Sequence, residues 1–146
     1  MQEKMKKKTK ELLAQMKVKA EVDVKEEEGI FFIKIKSEDT GLLIGRHGET
    51  LHSLQLILGI IVNKENDEWQ KIVVDVDDYR KQREKTLHRM AERAIQRAED
   101  LGEEQELPSM PSFERRIIHM QVSEKEGVLS ESKGSGRNRR VIVRLD

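Results

Sequence analysis

The first residues whose types and spacing suit the binding of a ligand are Gly45, Arg46, His47 and Gly48. They stand directly before a helical pattern that begins at Glu49. Glycine has no β-carbon, so a turn that contains two glycines lets a ligand approach its backbone closely. The amides and the partial positive charge at the start of the helix favour a phosphate group, and Arg46 adds a formal charge. Two glycines at this spacing are common, and a helix cap without a ligand is the alternative.

A second set of candidate residues lies near the C-terminal end of the chain. Arg115 and His119 stand four residues apart in a helical pattern and therefore share one face of that helix. Arg137, Arg139 and Arg140 follow in a strand pattern, and the planar guanidinium group suits bidentate contacts with phosphate. In the alternative interpretation, His119 is hydrogen-bonded beside the strands and Arg115 pairs with a carboxylate.

The charge of the chain is balanced overall but unevenly divided. The 146 residues include 28 basic and 28 acidic side chains. Residues 1–78 hold 13 basic and 16 acidic side chains, residues 79–146 hold 15 and 12, and every arginine except Arg46 lies in the second segment. The second segment is therefore better equipped for close contacts with phosphate. A solvated surface without a ligand is also compatible with this composition.

The sequence argues against catalysis and against a metal or cofactor site. It has no cysteine, so disulfide frameworks and thiolate chemistry are excluded. The histidines His47, His52, His88 and His119 are scattered, and no zinc-protease, Walker-type or nucleophile-elbow pattern is present. We therefore expect a binding protein that needs no cofactor, and not an enzyme.

Apolar runs in the chain are short. None approaches the roughly 20 residues that a membrane-spanning helix requires. The lysine-rich start is not followed by the apolar core of a signal peptide. We expect no membrane insertion and a cytoplasmic location, and the sequence does not indicate an oligomeric state.

Periodicity in the first half of the chain predicts a small α+β module. Residues 3–17 have the spacing of an amphipathic helix, and the end of a linker is the alternative. Residues 18–24 and 30–36 form a predicted hairpin, residues 49–62 a helix and residues 69–76 a third strand. We expect a three-stranded sheet with helices on one face.

Periodicity in the second half of the chain predicts another module, in which helices pack on a small sheet. A long helix spans residues 78–101, and residues 128–131 and 139–145 are strands. The predicted domains are therefore residues 18–77 and 78–146, with residues 1–17 as a helix or the remnant of a linker.

The short helix of this second module is predicted to begin at Ser112 and to end near Val122. Phe113, Ile117 and Met120 recur at helical spacing and are its predicted buried stripe. Arg115 and His119 would then point away from the core.

The segment around Gly45 and Gly48 resembles a KH domain, and its element order resembles the bacterial, type II arrangement. In that family the G-x-x-G loop clamps the backbone of a short single strand against an apolar groove. The resemblance implies that Gly45, Arg46, His47 and Gly48 bind RNA.

The low content of aromatic side chains is consistent with a backbone clamp. Phe31, Phe32 and Trp69 lie in strand patterns and are expected to face the core, which leaves few rings for stacking on bases. An aromatic recognition sheet is therefore not expected.

The helix and strands near the C-terminus resemble the R-three-H domain, a family named for a helix that bears arginine, three further residues and histidine. The motif residues correspond to Arg115 and His119, and the basic strand corresponds to Arg137, Arg139 and Arg140. The resemblance implies that these residues bind single-stranded nucleic acid.

A KH domain followed directly by an R-three-H domain resembles the bacterial Jag family, also called KhpB or SpoIIIJ-associated, over about residues 20–145. The resemblance implies a cytoplasmic RNA-binding regulator of cell elongation and of the cell wall. Its implied ligand is single-stranded RNA or DNA, and its implied partner is a small single-KH-domain protein. Family members commonly carry an N-terminal Jag domain and a charged linker, of which residues 1–17 are expected to be at most the end.

A protein-interaction scaffold is the competing interpretation. Two charged modules of this kind can dock a protein partner instead of RNA, with Arg93 and Arg97 of the long helix as one contact.

Overall fold

All 146 residues are described by the computed structural model, in which the chain divides into two units, Met1–Arg80 and Lys81–Asp146. The elements are α1 (Gln2–Gln15), β1 (Ala20–Glu27), β2 (Ile30–Ser37), α2 (Thr40–Ile44), α3 (Glu49–Asn63), β3 (Lys71–Val76), α4 (Tyr79–Leu101), β4 (Gln105–Glu106), α5 (Ser112–Ser123), β5 (Val128–Lys133) and β6 (Arg140–Leu145). Two short 3-10 turns, Arg46–Gly48 and Gly136–Asn138, complete the fold. The prediction of an α+β protein with two small modules is confirmed.

The sheet of the first unit has the strand order β1-β2-β3. β1 and β2 form an antiparallel hairpin, whose turn at Glu28 and Gly29 has positive φ at both residues, as tight hairpin turns require. β3 runs parallel to β2. Val24, Ile33 and Val74 lie side by side in this register and are buried on the same face. The sheet therefore has one apolar face, and α1 and α3 pack on it.

Helix α1 contributes to the core of the first unit. Met5, Thr9 and Leu13 lie on one stripe of the helix and are buried. The hydroxyl of Thr9 donates a hydrogen bond of 2.7 Å to the carbonyl oxygen of Met5, so the buried polar group is satisfied. Residues 2–15 are thus a core helix and not a linker, while the predicted domain limits stay a prediction.

The segment before the two glycines is helical, which the sequence analysis did not predict. α2 has only five residues, and Leu43 points from it into the core. A single helical turn leaves too short a periodic pattern to be detected. α3 follows as predicted and buries Leu51, Leu54 and Leu58.

Trp69 does not face the core, contrary to the expectation. β3 begins at Lys71, and the Trp69 side chain is 70% exposed. The buried Asn63 amide holds the preceding segment: its Nδ2 donates to the carbonyl oxygen of Gln70 at 3.0 Å, and its Oδ1 accepts from the Gln70 amide at 2.6 Å. The chain therefore enters the strand only after Gln70. Phe31, by contrast, is buried as expected, whereas Phe32 lies on the opposite face of β2 and is only half-buried.

The outer edge of β3 is closed by two side chains. Gln55 Oε1 accepts a hydrogen bond from the Val74 amide at 2.9 Å, and Arg80 Nε donates to the Val74 carbonyl oxygen at 2.6 Å. Arg80 Nη2 also donates to Gln55 Oε1 at 2.9 Å, which joins the two closing groups. At Val74 the edge strand therefore has no free backbone group to pair with another strand.

The sheet of the second unit has the order β4-β6-β5, with antiparallel pairs throughout. The two-residue strand β4 is too short for a period-two pattern and was not predicted. Helices α4 and α5 cover the sheet with a core that includes Leu87, Ala91, Ile118, Val122, Val141 and Val143.

The predicted buried stripe of α5 was wrong. Glu114, Ile118 and Val122 are the buried residues, whereas Met120 is 58% exposed and Phe113 and Ile117 are half-buried. The reason is that the charged residue Glu114, which was not part of the predicted stripe, is buried in an ion pair.

That ion pair joins α4 to α5. Arg83 Nε and Nη2 donate to the two carboxylate oxygens of Glu114 at 2.7 and 2.9 Å, and Glu114 is 1% exposed. Bidentate geometry of this kind offsets the cost of removing the carboxylate from water.

Candidate nucleic-acid interface

The loop Gly45–Gly48, here called the glycine loop, connects α2 to α3 through a sharp turn. The Gly45 amide donates to the carbonyl oxygen of Gly41 at 2.9 Å, which ends α2. Gly45 has φ 69° and ψ −170°, a region that only glycine occupies without strain. His47 and Gly48 then have left-handed φ values of 54° and 77°. The backbone of the loop is therefore strongly constrained.

Both glycines are required by contacts inside the protein. A β-carbon added to Gly45 would lie 2.2 Å from the Thr50 hydroxyl oxygen, and one added to Gly48 would lie 2.9 Å from the Tyr79 ring. The sequence analysis assigned the missing β-carbons to the approach of a ligand. The structure adds an internal reason for both glycines, because both positions face the protein's own side chains. The approach of a ligand to this backbone stays a prediction.

The charge in the glycine loop comes from Arg46. Its side chain is exposed and makes no hydrogen bond or ion pair within the protein, whereas His47 is half-buried and Gly48 is buried. Glu49 is exposed in the first turn of α3, where a carboxylate interacts favourably with the positive end of the helix and competes with an anionic ligand. The loop thus presents one unpaired cation beside one carboxylate.

Arg115 and His119 are joined to β5 by hydrogen bonds to two serines. His119 Nδ1 lies 2.7 Å from the Ser130 hydroxyl oxygen, and Nε2 lies 2.8 Å from that of Ser132. Arg115 Nη1 donates to Ser132 at 3.2 Å, and Nε donates to the carbonyl oxygen of Met110 at 3.1 Å. His119 therefore has the hydrogen-bonded environment of the alternative interpretation, but the partner of Arg115 is a serine and not a carboxylate.

The environment of His119 disfavours its charged form. Partial burial lowers the pKa of His119 below its usual value of 6.5, and the nearby cations Arg115 and Arg139 lower the pKa further. The imidazole is therefore neutral at pH 7, with one ring nitrogen donating to a serine hydroxyl and the other accepting from a serine hydroxyl. A neutral histidine orients Ser130 and Ser132 but adds no charge to the surface.

The basic strand has one arginine without a partner. Arg140 forms an ion pair with Glu106, and Arg139 Nη1 donates to the carbonyl oxygen of Gly134 at 2.7 Å. Arg137 is exposed in the 3-10 turn before β6 and makes no such contact. Of the three predicted arginines, Arg137 has the most donors available for a phosphate.

An exposed apolar surface on α3 was missed by the sequence analysis. Leu56, Ile57 and Ile60 lie on one face of the helix and are 48–62% exposed. The Trp69 ring lies against the same helix at Gly59, where an added β-carbon would be 3.7 Å from Cζ2. We call Leu56, Ile57, Ile60 and Trp69 the apolar patch. The signal was present in the sequence, because α3 has more apolar residues than one buried stripe can use.

None of the helices combines the length and the apolar character needed to cross a lipid bilayer. No group of three or more histidine, aspartate and glutamate side chains lies close enough together to hold a metal ion.

Comparison with known protein families gives two matches, one for each part of the chain. The family model of the KhpA/KhpB KH domain matches residues 2–76, slightly more than half of the chain. The family model of the R-three-H domain matches residues 85–145.

Curated relatives are similar over most of the chain. An RNA-binding protein KhpB from Lactiplantibacillus plantarum is 33% identical over 134 residues, which cover 92% of this chain and 42% of the relative. Proteins of the same name are 32% identical over 130 residues in Clostridium symbiosum and 30% identical over 127 residues in Bacillus subtilis. These alignments cover 89% and 86% of this chain, and 59% and 61% of the relatives. The chain thus spans about half the length of the curated relatives that it matches.

The constrained glycine loop leads to a prediction about stability. Gly45→Ala should lower the free energy of unfolding of the first unit by at least about 2 kcal/mol, because it combines backbone strain with a clash against Thr50. The control Gly29→Ala has φ 79° but no atom within 4 Å of the new β-carbon, and should cost only about 1 kcal/mol. Urea titration followed by the amide NMR signals of β2 measures both. Equal losses would show that Thr50 does not constrain the loop.

The histidines of the second unit should titrate on opposite sides of pH 6.5. The pKa of His119 is lowered by burial, Arg115 and Arg139, whereas the hydrogen bonds that the exposed His88 donates to Gln121 and Glu84 raise its pKa. Below pH 6.5 the unfolded chain therefore binds more protons at His119 than the folded unit does, so His119 decreases stability as the pH falls. His88 acts in the opposite direction: its contribution is complete below pH 6.5 and is lost as the pH rises through its raised pKa.

An NMR titration of the imidazole protons measures both values directly. Arg139→Gln should move the midpoint of His119 upward and leave that of His88 unchanged. A midpoint for His119 at or above 6.5 in the unsubstituted protein would contradict the assigned environment.

Proposed function

Because this chain belongs to the KhpA/KhpB KH-domain family and carries an R-three-H domain after the KH domain, we propose that it binds single-stranded RNA. The relatives named RNA-binding protein KhpB support this proposal. Binding of single-stranded DNA is the secondary expectation, since most of the proposed contacts are to the phosphate backbone.

The observation that carries the proposal is the state of Arg46. This arginine is exposed without an internal partner, in a loop that is held in one conformation by Thr50 and Tyr79. A constrained loop backbone places Arg46 beside the start of α3, so that the entropic cost of binding falls on the Arg46 side chain and not on the loop. The proposed contact is therefore a phosphate held by Arg46 and the backbone of the glycine loop, with His47 beside it.

In the second unit, Arg137 and the Arg115–His119 pair form the proposed contact surface. Arg137 supplies an unpaired guanidinium group for phosphate. Arg115 and His119 position the hydroxyls of Ser130 and Ser132, which are half-buried. One of these hydroxyls donates its proton to the neutral imidazole, and the other is able to donate to a phosphate or a ribose oxygen. Arg139 and Arg140 contribute after their internal partners rearrange.

Two weak sites in one chain bind more strongly than either alone. When the first site is occupied, the second binding event becomes intramolecular, which increases the apparent affinity by roughly 100-fold or more where the geometry permits both contacts. We propose a role without catalysis, and the family resemblance extends the proposal to regulation of cell elongation and of the cell wall in the cytoplasm.

The RNA proposal predicts that charge reversal in the glycine loop weakens binding. Arg46→Asp combined with His47→Asp should reduce the affinity for a single-stranded oligouridylate at least about tenfold at physiological salt, because two carboxylates would face the phosphate backbone. Aspartate tolerates the left-handed φ of residue 47, so the loop should keep its shape. Fluorescence anisotropy over a series of salt concentrations gives the affinity and its salt dependence.

Lys64→Asp is the control, because it reverses a charge at the opposite, C-terminal end of α3. It should leave the affinity within about twofold. Equal affinities of the double variant and the unsubstituted protein would eliminate the glycine loop as the RNA contact. Absence of RNA binding by the unsubstituted protein would favour the scaffold interpretation.

A protein partner is the second candidate function, and the apolar patch favours it. Contiguous exposed apolar side chains on a small domain are characteristic of interaction sites, and aromatic residues such as Trp69 are enriched at their centres. The KhpA/KhpB family includes the small single-KH-domain protein that the resemblance implies as a partner. We therefore propose that such a protein docks on α3.

Ile60→Asp should abolish association with a co-expressed single-KH-domain protein from the same organism, because the new carboxylate would be buried unpaired in the interface. Leu42→Asp makes an equivalent change at a similarly exposed leucine of α2 and should leave association intact. Sedimentation velocity of the purified pair measures the complex. Association that survives Ile60→Asp would show that the partner binds elsewhere.

A further inference from the structure

Five exposed cations form a row that winds around α4 by about 40° from each cation to the next. They occupy every fourth position and are all exposed: Lys81, Lys85, Arg89, Arg93 and Arg97. We call these residues the cation row. None of them forms an ion pair, and the one hydrogen bond among them is a long contact of 3.4 Å from Arg89 Nε to the Lys85 carbonyl oxygen.

The cation row is unfavourable for the helix itself. Residues four apart are neighbours on a helix surface, and like charges at this spacing repel each other. Lys85 and Arg93 are the clearest cases, because no carboxylate lies three or four positions away from either residue. Local helix stability therefore does not account for the row.

The carboxylates of α4 are engaged elsewhere or face another element. Glu84 lies 3.5 Å from His88 Nε2, and Asp100 accepts a hydrogen bond of 2.9 Å from Gln96. Glu99 pairs with Lys125 beyond the end of α5. Glu92 and Glu99 also line a shallow hollow together with Gln121 and Glu124 of the α5 region. Glu92 and Glu99 thus lie on the side of α4 that faces α5, and no carboxylate of α4 forms an ion pair with the cation row.

The surroundings of the cation row do not resemble a protein interface. Leu101, after the end of the row, is the exposed large apolar side chain of α4. Protein interfaces have a buried core of apolar and aromatic side chains, and their charged residues lie at the rim. A row of cations without such a core is complementary in charge to a polyanion.

The dimensions of the cation row suit a nucleic-acid backbone. The rise of 1.5 Å per residue separates successive cations by about 6 Å along the axis and gives a row of about 24 Å. A spacing of this size is comparable to the separation of successive phosphates along an extended single strand. A strand that follows the turn of the row around α4 can therefore place one phosphate near each cation.

We propose that the cation row of α4 binds the phosphodiester backbone of single-stranded RNA and so extends the contact of the second unit. This inference rests on the proposed RNA binding and adds a site to it. The row makes contacts to phosphate without selecting bases, so it increases affinity without sequence preference.

The test removes the two cations that have no neighbouring carboxylate. Lys85→Gln combined with Arg93→Gln should weaken binding to a long oligouridylate roughly tenfold and reduce the slope of log affinity against log salt by about 1.4, the value for two phosphates of a single strand. The thermal unfolding midpoint should stay equal or rise, because repulsion along the helix is relieved. Lys85→Arg combined with Arg93→Lys keeps both charges and should retain the affinity.

A matched control removes two charges from another exposed helix. Lys7 and Lys10 are exposed on α1, and their replacement by glutamine should leave the salt slope unchanged. If the unsubstituted protein binds RNA and Lys85→Gln with Arg93→Gln binds it with equal affinity and slope, the inference is wrong, and an acidic protein surface becomes the occupant of the row. If the unsubstituted protein does not bind RNA, the proposed function itself fails. A measurement of RNA binding by the unsubstituted protein distinguishes these two results.

Discussion

The buried ion pair between Arg83 and Glu114 sets the geometry of the second unit. Glu114 is removed from water within a helix whose other buried residues are Ile118 and Val122. An unpaired carboxylate at this position would cost about 3–5 kcal/mol, so α5 packs stably only in the rotation that brings Glu114 to Arg83. Arg115 and His119 are each one position further along the helix than Glu114 and Ile118. The rotation that satisfies the ion pair therefore places Arg115 and His119 at the border of the core. There they form hydrogen bonds with Ser130 and Ser132 of β5. A buried structural contact thus determines the position of a surface motif.

In the first unit, steric constraint positions the glycine loop, whereas in the second unit an ion pair positions α5. Gly45 and Gly48 adopt their positive φ values with the space of a β-carbon already occupied by Thr50 and Tyr79. The loop therefore has no space for a side chain at either glycine, and its backbone angles favour glycine at both positions. The glycines thus shape the loop, and Arg46 supplies its charge. Gln55 and Arg80 similarly close the edge of β3. The unit is rigid next to its exposed arginine.

The sequence predicted those features that depend on regular periodicity. The hairpin, the long helix α4 and the helix after the glycine loop all have several turns or strand repeats, and their patterns were sufficient. Prediction failed where one polar contact overrides the pattern. Glu114 looks like a surface residue because its partner Arg83 is distant in sequence, so the stripe of α5 was assigned to Phe113, Ile117 and Met120 instead. Trp69 was assigned to a strand because no sequence pattern reveals the hydrogen bonds between the Asn63 side chain and the Gln70 backbone. With these bonds in place, β3 begins only at Lys71. The residues proposed to bind RNA came from motif resemblance, and their internal hydrogen bonds could only be seen in three dimensions.

The balanced net charge of the chain has a consequence for how binding works. With 28 charges of each sign, the long-range field is small, and at physiological ionic strength charges interact over only about 8 Å. Attraction of a polyanion therefore depends on local groups in which cations are not neutralised by neighbours. Arg46, Arg137 and the cation row are such groups, whereas Arg83 and Arg140 are already paired. In α4, Glu92 and Glu99 face α5, and the exposed cations of the row form no ion pair. The proposed RNA binding of a chain that is neutral as a whole therefore depends on exposed cations that have no ion-pair partner within the protein.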